Sequence, residues 1–366
     1  MRILFSLLDA GVGGGQTVAL SVASRLVADG HSVGLLVPAR GPGCEGFCYL
    51  GSEVHTIDLH SLRRVGSIVG AARALRDYDV LYSHTSIPGE ILGDLAVRIA
   101  RRRHVVHRHT PPRLSPNRWS RAIQAGLYRL LLRRRAIVSV APHIAAAVVA
   151  LGVTRANVRV IPNGVDADLL PPVPARNPGA PLKIGVLGRA DPQKGFDIFA
   201  GAVQILRRKG VSADFVAGIA TGGFPEHERV VVAHLQEAGV ELTTPGSDGP
   251  GFLAGLDVVA MPSRWEGSPL TLFESLGLGK PVIASAIPGM SEVLAGEDAG
   301  LLVPSDDPEA LATAMEVAID DEDSRARWSK NALSVASRNT RRAAAERAVG
   351  VITEVCGLRE WRSGPE

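Results

Sequence analysis

Residues 263–284 read S-R-W-E-G-S-P-L-T-L-F-E-S-L-G-L-G-K-P-V-I-A, with two carboxylates, Glu266 and Glu274, around one expected helix start. Ser268 is a favoured N-cap residue, and Pro269 suits the first helical position because its missing N–H has no partner there anyway. The expected helix start turns the N–H groups of Ser268, Leu270 and Thr271 outward at its positive end, where phosphate is favoured, and Gly267 lets a ligand approach the backbone. Glu274 would lie roughly 9 Å along the axis from Ser268 at about 1.5 Å per residue. That is too far for the two acids to act as acid and nucleophile on one bond, which needs about 5 to 5.5 Å. The spacing suits a long ligand, with phosphates at the helix start and hydroxyl groups on either side.

The chain has 366 residues, 46% of them hydrophobic, which predicts two domains with a core each. No apolar run is long and clean enough to span a bilayer, since the best one, 136–153, contains Pro142 and His143. A soluble, unprocessed protein is expected. Cys44, Cys48 and Cys356 are odd in number and lack ligand spacing with His, so they read as reduced thiols of the cytosol. The net charge of +3 conceals a split: residues 1–166 hold 21 arginines against 10 acids, and residues 167–366 hold 19 basic against 27 acidic residues. Arg98, Arg101, Arg102, Arg103, Arg118, Arg121, Arg129, Arg133, Arg134 and Arg135 concentrate the positive charge. They suit an anionic acceptor or an anionic membrane surface, or else form a solvated face.

Short apolar strands alternate with helical stretches, the pattern of parallel sheets with crossover helices. Strands are expected at 2–8, 31–38, 54–59, 80–83, 104–109, 136–140 and 158–161 in the first half. In the second they are expected at 182–188, 213–218, 240–243, 257–261, 281–285 and 301–304. Between the halves, 167–181 carries five prolines and reads as a linker. Two doubly wound Rossmann-like domains would face each other across a crevice at the carboxyl ends of their strands. The candidate residues fall at such ends: Gly13, Gly14 and Gly15 after the first strand, His109 after a later one, Asn163 and Gly164 before the linker, Gly188 and Arg189 after it.

The sequence argues against several competing folds. With Gly11 and Gly13 starting a dinucleotide fingerprint, Gln16 stands where its third glycine belongs, and the second strand ends in Pro38, Ala39 and Arg40 without the ribose acid. There is no G-x-x-x-x-G-K-[ST] loop and no G-x-S-x-G elbow. His107 and His109 would share one face of a strand, and a metal pair can be drawn there. No third ligand stands at useful spacing, so no metal is expected.

Five segments together resemble glycosyltransferase family 4, retaining sugar-nucleotide transferases of GT-B architecture. They are G-G-G-Q-T-V-A-L-S-V-A-S-R-L-V-A-D-G-H-S-V, V-I-P-N-G-V-D, G-R-A-D-P-Q-K-G-F-D, the stretch first quoted, and G-L-L-V-P-S-D-D-P-E-A-L-A. The resemblance implies an N-terminal acceptor-side domain (1–166), a linker (167–181) and a C-terminal nucleotide-binding domain (182–342). A final helix, about 343–366, would rejoin the first domain. It gives Arg189 and Lys194 the donor diphosphate, Glu274 the ribose hydroxyls, Glu266 the transferred sugar, and His109 a place near the reacting centre. Gly14 and Gly15 would lie over the diphosphate. Each has a structural alternative: a salt bridge for the cations, a tight turn for the glycines, a packed ring for His109, a dipole partner or loop charge for the acids. Gly267, Ser268 and Pro269 stand where family members often carry Gly-Phe-Gly. No side chain in 244–252, the stretch expected to border the nucleobase, reads a particular base.

The implied mechanism is front-face attack, the leaving diphosphate taking the acceptor's proton while Arg189, Lys194 and the helix start stabilise its charge. It needs no metal and no cofactor. UDP is the default donor base. The helix expected at 116–135 carries Trp119, Ile123, Leu127 and Leu131 on one side, as for a surface helix packed on its sheet or one lying on anionic lipid. A bacterial, cytoplasmic enzyme is expected, with possible weak peripheral contact at the inner membrane face and no nucleic-acid partner. A small natural product such as an oligosaccharide antibiotic is slightly preferred as acceptor over a glycolipid, lipopolysaccharide or polysaccharide. A nonhydrolysing sugar-nucleotide epimerase and a non-catalytic nucleotide-sugar sensor remain alternatives.

Overall fold

The structure is a computed structural model that describes residues 1–11, 13–59, 65–177, 179–220, 225–246 and 248–357. It divides into two compact units, one comprising 1–162 with 341–366 and the other 163–340. The first unit thus ends at Pro162 rather than at residue 166, and residues 163–166 cluster with the second.

The first unit is built on seven parallel strands: β1 (Arg2–Leu7), β2 (Ser32–Val37), β3 (Val54–Thr56), β4 (Val80–His84), β5 (Arg103–Arg108), β6 (Ala136–Ser139) and β7 (Val158–Val160). Their order is β3-β2-β1-β4-β5-β6-β7. β1, β2 and β5 each expose their first residue and bury the next five, as strands covered on both faces must. Helix Arg341–Val355 belongs to this unit. Its Ala345, Ala348, Val349, Val351 and Ile352 are buried in the same core as Phe5 and Tyr82, and Arg25 pairs with Glu346. The helix expected to reach residue 366 ends at Val355, and residues 358–366 lie outside the described residues.

In the second unit six parallel strands follow: β8 (Lys183–Arg189), β9 (Asp214–Ala220), β10 (Glu241–Thr243), β11 (Val258–Met261), β12 (Val282–Ser285) and β13 (Gly300–Val303). Their order is β10-β9-β8-β11-β12-β13. All thirteen expected strands are present, displaced at their ends by up to three residues. The strand order reverses between β1 and β4 in the first unit and between β8 and β11 in the second. At such switch points the loops leave in opposite directions and open a crevice at the strands' carboxyl ends.

Buried charges fix the end of β5. Arg108 is 3% exposed and donates through Nη1 to Oε1 of the fully buried Glu90 at 2.6 Å, and through Nη2 to the Thr110 carbonyl at 3.3 Å. Arg108 lies between His107 and His109, so this pair also sets where those rings project. Replacing Arg108 by Leu would leave a buried carboxylate unpaired, and a loss of about 3–5 kcal/mol is expected in urea unfolding. A loss below about 1 kcal/mol would mean that the pair does not hold the strand end.

Candidate functional site

The second unit gathers its candidates on the two loops that leave β8 and β11. Arg189 is the last residue of β8, and the turn after it is closed by Asp191, whose side chain accepts from the Gln193 N–H at 3.1 Å. Gly195 then takes φ +67°, where a β-carbon would lie 2.0 Å from the Pro262 carbonyl. Only glycine lets the two loops come this close. The Lys194 stem lies against Gly188, where an added β-carbon would meet three of its carbons at 3.1–3.3 Å.

Lys194 Nζ donates to Glu266 Oε1 at 2.7 Å, and the same oxygen accepts from Ser263 Oγ at 3.1 Å. Gln193 Nε2 donates to the other oxygen at 3.1 Å and to the Trp265 carbonyl at 2.9 Å. The Glu266 side chain is 6% exposed, and both of its oxygens accept hydrogen bonds. Arg264 ties the loops from outside: its guanidinium binds Asp197 at 3.0 and 2.7 Å, Asp306 at 2.6 Å and the Pro192 carbonyl at 2.8 Å. Burial would raise the Asp197 pKa, but the hydrogen bonds and charge of Arg264 outweigh it and lower it below the usual carboxylate range. Arg189 Nη2 pairs with Asp191 at 3.0 Å, yet half of the arginine side chain is exposed. Asp191 itself is buried, so the exposed edge of the guanidinium is the part of this pair that is open to a further anion.

The helix start differs from the expected capping. The helix runs Leu270–Gly277 with Pro269, not Ser268, at the cap position and no side-chain cap. Ser268 has other partners: its Oγ accepts from the Asn163 N–H at 3.2 Å and its carbonyl from the Asn163 side-chain amide at 2.7 Å. Leu270 and Thr271 therefore supply the first helical N–H groups, which a helix leaves without internal acceptors. Gly289 packs on this loop, its would-be β-carbon 2.5 Å from the Glu266 carbonyl and 2.7 Å from that of Gly267. Glu274 sits partly exposed in the second turn, between buried Phe273 and Ser275.

The first unit brings Gly15 up to His109. Gly14 and Gly15 lie in the first turn of helix Gly14–Ala28 rather than in the loop before it. A β-carbon on Gly15 would be 3.6 Å from the His109 ring, so only a small residue leaves that ring clear. Asp9 Oδ1 accepts from the Gly11 N–H and from Gln16 Nε2, each at 2.8 Å, which occupies the one acid that precedes the loop.

Beside His109 stands a residue the sequence reading did not single out, His84, at the end of β4. The register of β4 on β5 aligns Ser83 with Val106, which brings His84 next to His107. His84 Nδ1 and His109 Nε2 are 2.8 Å apart, and Tyr82 Oη lies 2.6 Å from His107 Nδ1. The three rings touch, with centroids 4.6–5.0 Å apart. The expectation that no third imidazole accompanies His107 and His109 is thus corrected. Burial, then the Arg108 charge, pushes the His109 pKa down to about 4, and burial and the neighbouring imidazoles hold His84 and His107 well below the ordinary value.

Residues 12–169 match the family model Glycosyltransferase Family 4, and residues 181–321 match that of the Glycosyl transferases group 1. The chain belongs to the group 1 glycosyltransferases. It is 30% identical over 178 residues to the lipopolysaccharide core biosynthesis mannosyltransferase LpsB of Rhizobium meliloti, covering 47% of this chain and 51% of that one. To the Escherichia coli UDP-Gal:alpha-D-GlcNAc-diphosphoundecaprenol alpha-1,3-galactosyltransferase it is 26% identical over 339 residues, 84% of this chain and 85% of that one. For several curated relatives the chain spans only about half of their length. Among solved structures, Anabaena Alr3699/HepE in complex with UDP-glucose superposes with a TM-score of 0.82 at 20% identity, over 97% of this chain and all of that one. The fold is GT-B.

The histidine cluster gives the first unit an acid-sensitive core. Between about pH 6.5, the unperturbed histidine value, and the His109 value of about 4, the unfolded chain binds protons that the folded chain refuses. Stability is therefore full above the unfolded value and falls as pH drops through that window. In chelator-treated protein the urea midpoint is expected to fall from pH 7 to pH 5, and less steeply in His107→Gln. Equal slopes for the two proteins would contradict the neutral cluster.

Proposed function

We propose that the protein transfers a sugar from a nucleoside-diphosphate sugar to an acceptor hydroxyl with retention of anomeric configuration. What supports this most directly is the Lys194–Glu266 pair, seated over Gly188 at the end of β8 and next to the loop that leads into helix Leu270–Gly277. A cation and a set of outward N–H groups are thereby fixed before any ligand arrives, which suits charge that develops on a leaving diphosphate.

In the transfer the acceptor hydroxyl oxygen bonds to the anomeric carbon as the bond from that carbon to the diphosphate oxygen breaks. The diphosphate leaves with the bonding pair and takes the hydroxyl proton. Arg189, exchanging Asp191 for phosphate oxygens, and Lys194 stabilise that charge, Arg as a fork and Lys as a point charge. The N–H groups of Leu270 and Thr271, with the backbone at Gly267 and Ser268, complete the phosphate seat. Glu266 orients sugar hydroxyls, Glu274 accepts from the ribose, and Gly14 and Gly15 keep backbone and ligand close. His109, held neutral, suits a hydrogen bond to a sugar hydroxyl rather than proton donation. No metal takes part in this step.

UDP is the favoured nucleotide, in keeping with the UDP-Gal of the Escherichia coli relative's name and the UDP-glucose in the Anabaena complex. For the acceptor, the names of the relatives favour a saccharide of a lipopolysaccharide or of a diphosphate-linked lipid over the small natural product preferred from sequence. Helix Arg118–Leu132 supports an anionic lipid surface. Its apolar stripe is split: Leu131 is buried in the core, whereas Trp119 and Ile123 are exposed, as are Leu130 and the arginines around them. Among the described residues no helix is long and apolar enough to cross a membrane, so such contact would be peripheral.

Arg189→Ala and Lys194→Ala are each expected to weaken UDP binding by more than about 1.5 kcal/mol, the scale of a charged hydrogen bond. Unchanged calorimetric affinity in both would remove them from the site. Transfer from a UDP-sugar is expected to survive EDTA and to yield the retained anomer by proton NMR; loss on chelation that Mg²⁺ or Mn²⁺ restores, or an inverted product, would refute the mechanism.

A further inference from the structure

We propose that His84, His107 and His109 form a binding site for one zinc-class transition-metal ion at the carboxyl ends of β4 and β5. One nitrogen from each ring can be chosen so that all three lie within 4.8 Å of one another. Nitrogens bound to a common zinc at about 2.0–2.1 Å are roughly 3.3 Å apart, a contraction that small rotations of the side chains can supply.

A second observation points to a ligand. His84 Nε2 and His107 Nε2 are buried without a hydrogen-bond partner, and both rings belong to residues less than one-tenth exposed. A buried imidazole nitrogen without a partner is costly, and an ion of the right chemistry would satisfy two of them on touching rings at once. His107 already has the support a metal-binding imidazole needs: the Tyr82 hydroxyl holds Nδ1 at 2.6 Å and thereby turns Nε2 to the other side. The donor set selects the ion. Three imidazoles with no carboxylate among them suit zinc, copper or nickel, whereas magnesium and calcium require oxygen ligands. His109 is partly exposed, so an ion would enter from its side.

Equilibrium dialysis of chelator-treated, desalted protein against zinc, with metal content read by mass spectrometry, tests the site without reference to sugar transfer. One zinc per chain and a zinc-dependent rise in Tm are expected for the wild-type protein. Both should be lost in His84→Asn, His107→Asn and His109→Asn, the last changing the most exposed of the three residues, with the fold of each variant verified by circular dichroism. Tyr82→Phe, which keeps the ring and removes the supporting hydroxyl, should weaken zinc binding ten- to a hundredfold. Failure of the wild-type protein to retain zinc, or undiminished retention in folded His109→Asn, would overturn the proposal.

Discussion

A carboxylate that is nearly out of water must be met by a cation and by hydrogen bonds, and Glu266 obliges the second unit to supply both. Lys194, Gln193 and Ser263 meet it, and they come from two loops that leave neighbouring strands at the point where strand order reverses. The loops can approach this closely because Gly195 carries no side chain, and they stay together because Arg264 spans them to Asp197 and Asp306. A rigid, charged seat results, with the start of helix Leu270–Gly277 directly after it in the chain. In the proposed function these donors receive a phosphate as Arg189 turns from Asp191.

The first unit works by the opposite physics. Where the second assembles charge, the first buries imidazoles until they stay neutral, packing His84 against Phe5 and Tyr82, His107 against Tyr82, and His109 against the other two imidazoles. Gly15 puts no side chain against His109, and the Glu90–Arg108 pair fixes the strand end from which the ring projects. A neutral, well-packed ring is a precise hydrogen-bonding group and a poor acid.

Much of this was legible in the sequence, because strand periodicity and glycine or proline punctuation are local signals. All thirteen strands and the loops bearing Arg189, Lys194 and Glu266 could be read in that way. What could not be read depends on partners distant along the chain. Ser268 looks like a cap until Asn163, 105 positions earlier, takes its hydroxyl and carbonyl. Asp191, Gln193 and Arg264 look like loop polarity until the loops meet. His84 stands 25 positions from its ring partner, and only the β4–β5 register shows that they touch. The amphipathic helix at 118–132 shows a further limit: periodicity marked one continuous stripe, but only its second half has a core to lie on.

A crystal structure of the protein grown with UDP tests the central claim most directly. Diphosphate oxygens within hydrogen-bonding distance of Lys194, of Arg189 turned away from Asp191, and of the N–H groups that open helix Leu270–Gly277 are the expected result. UDP bound away from these groups, with Arg189 still on Asp191, would contradict the account.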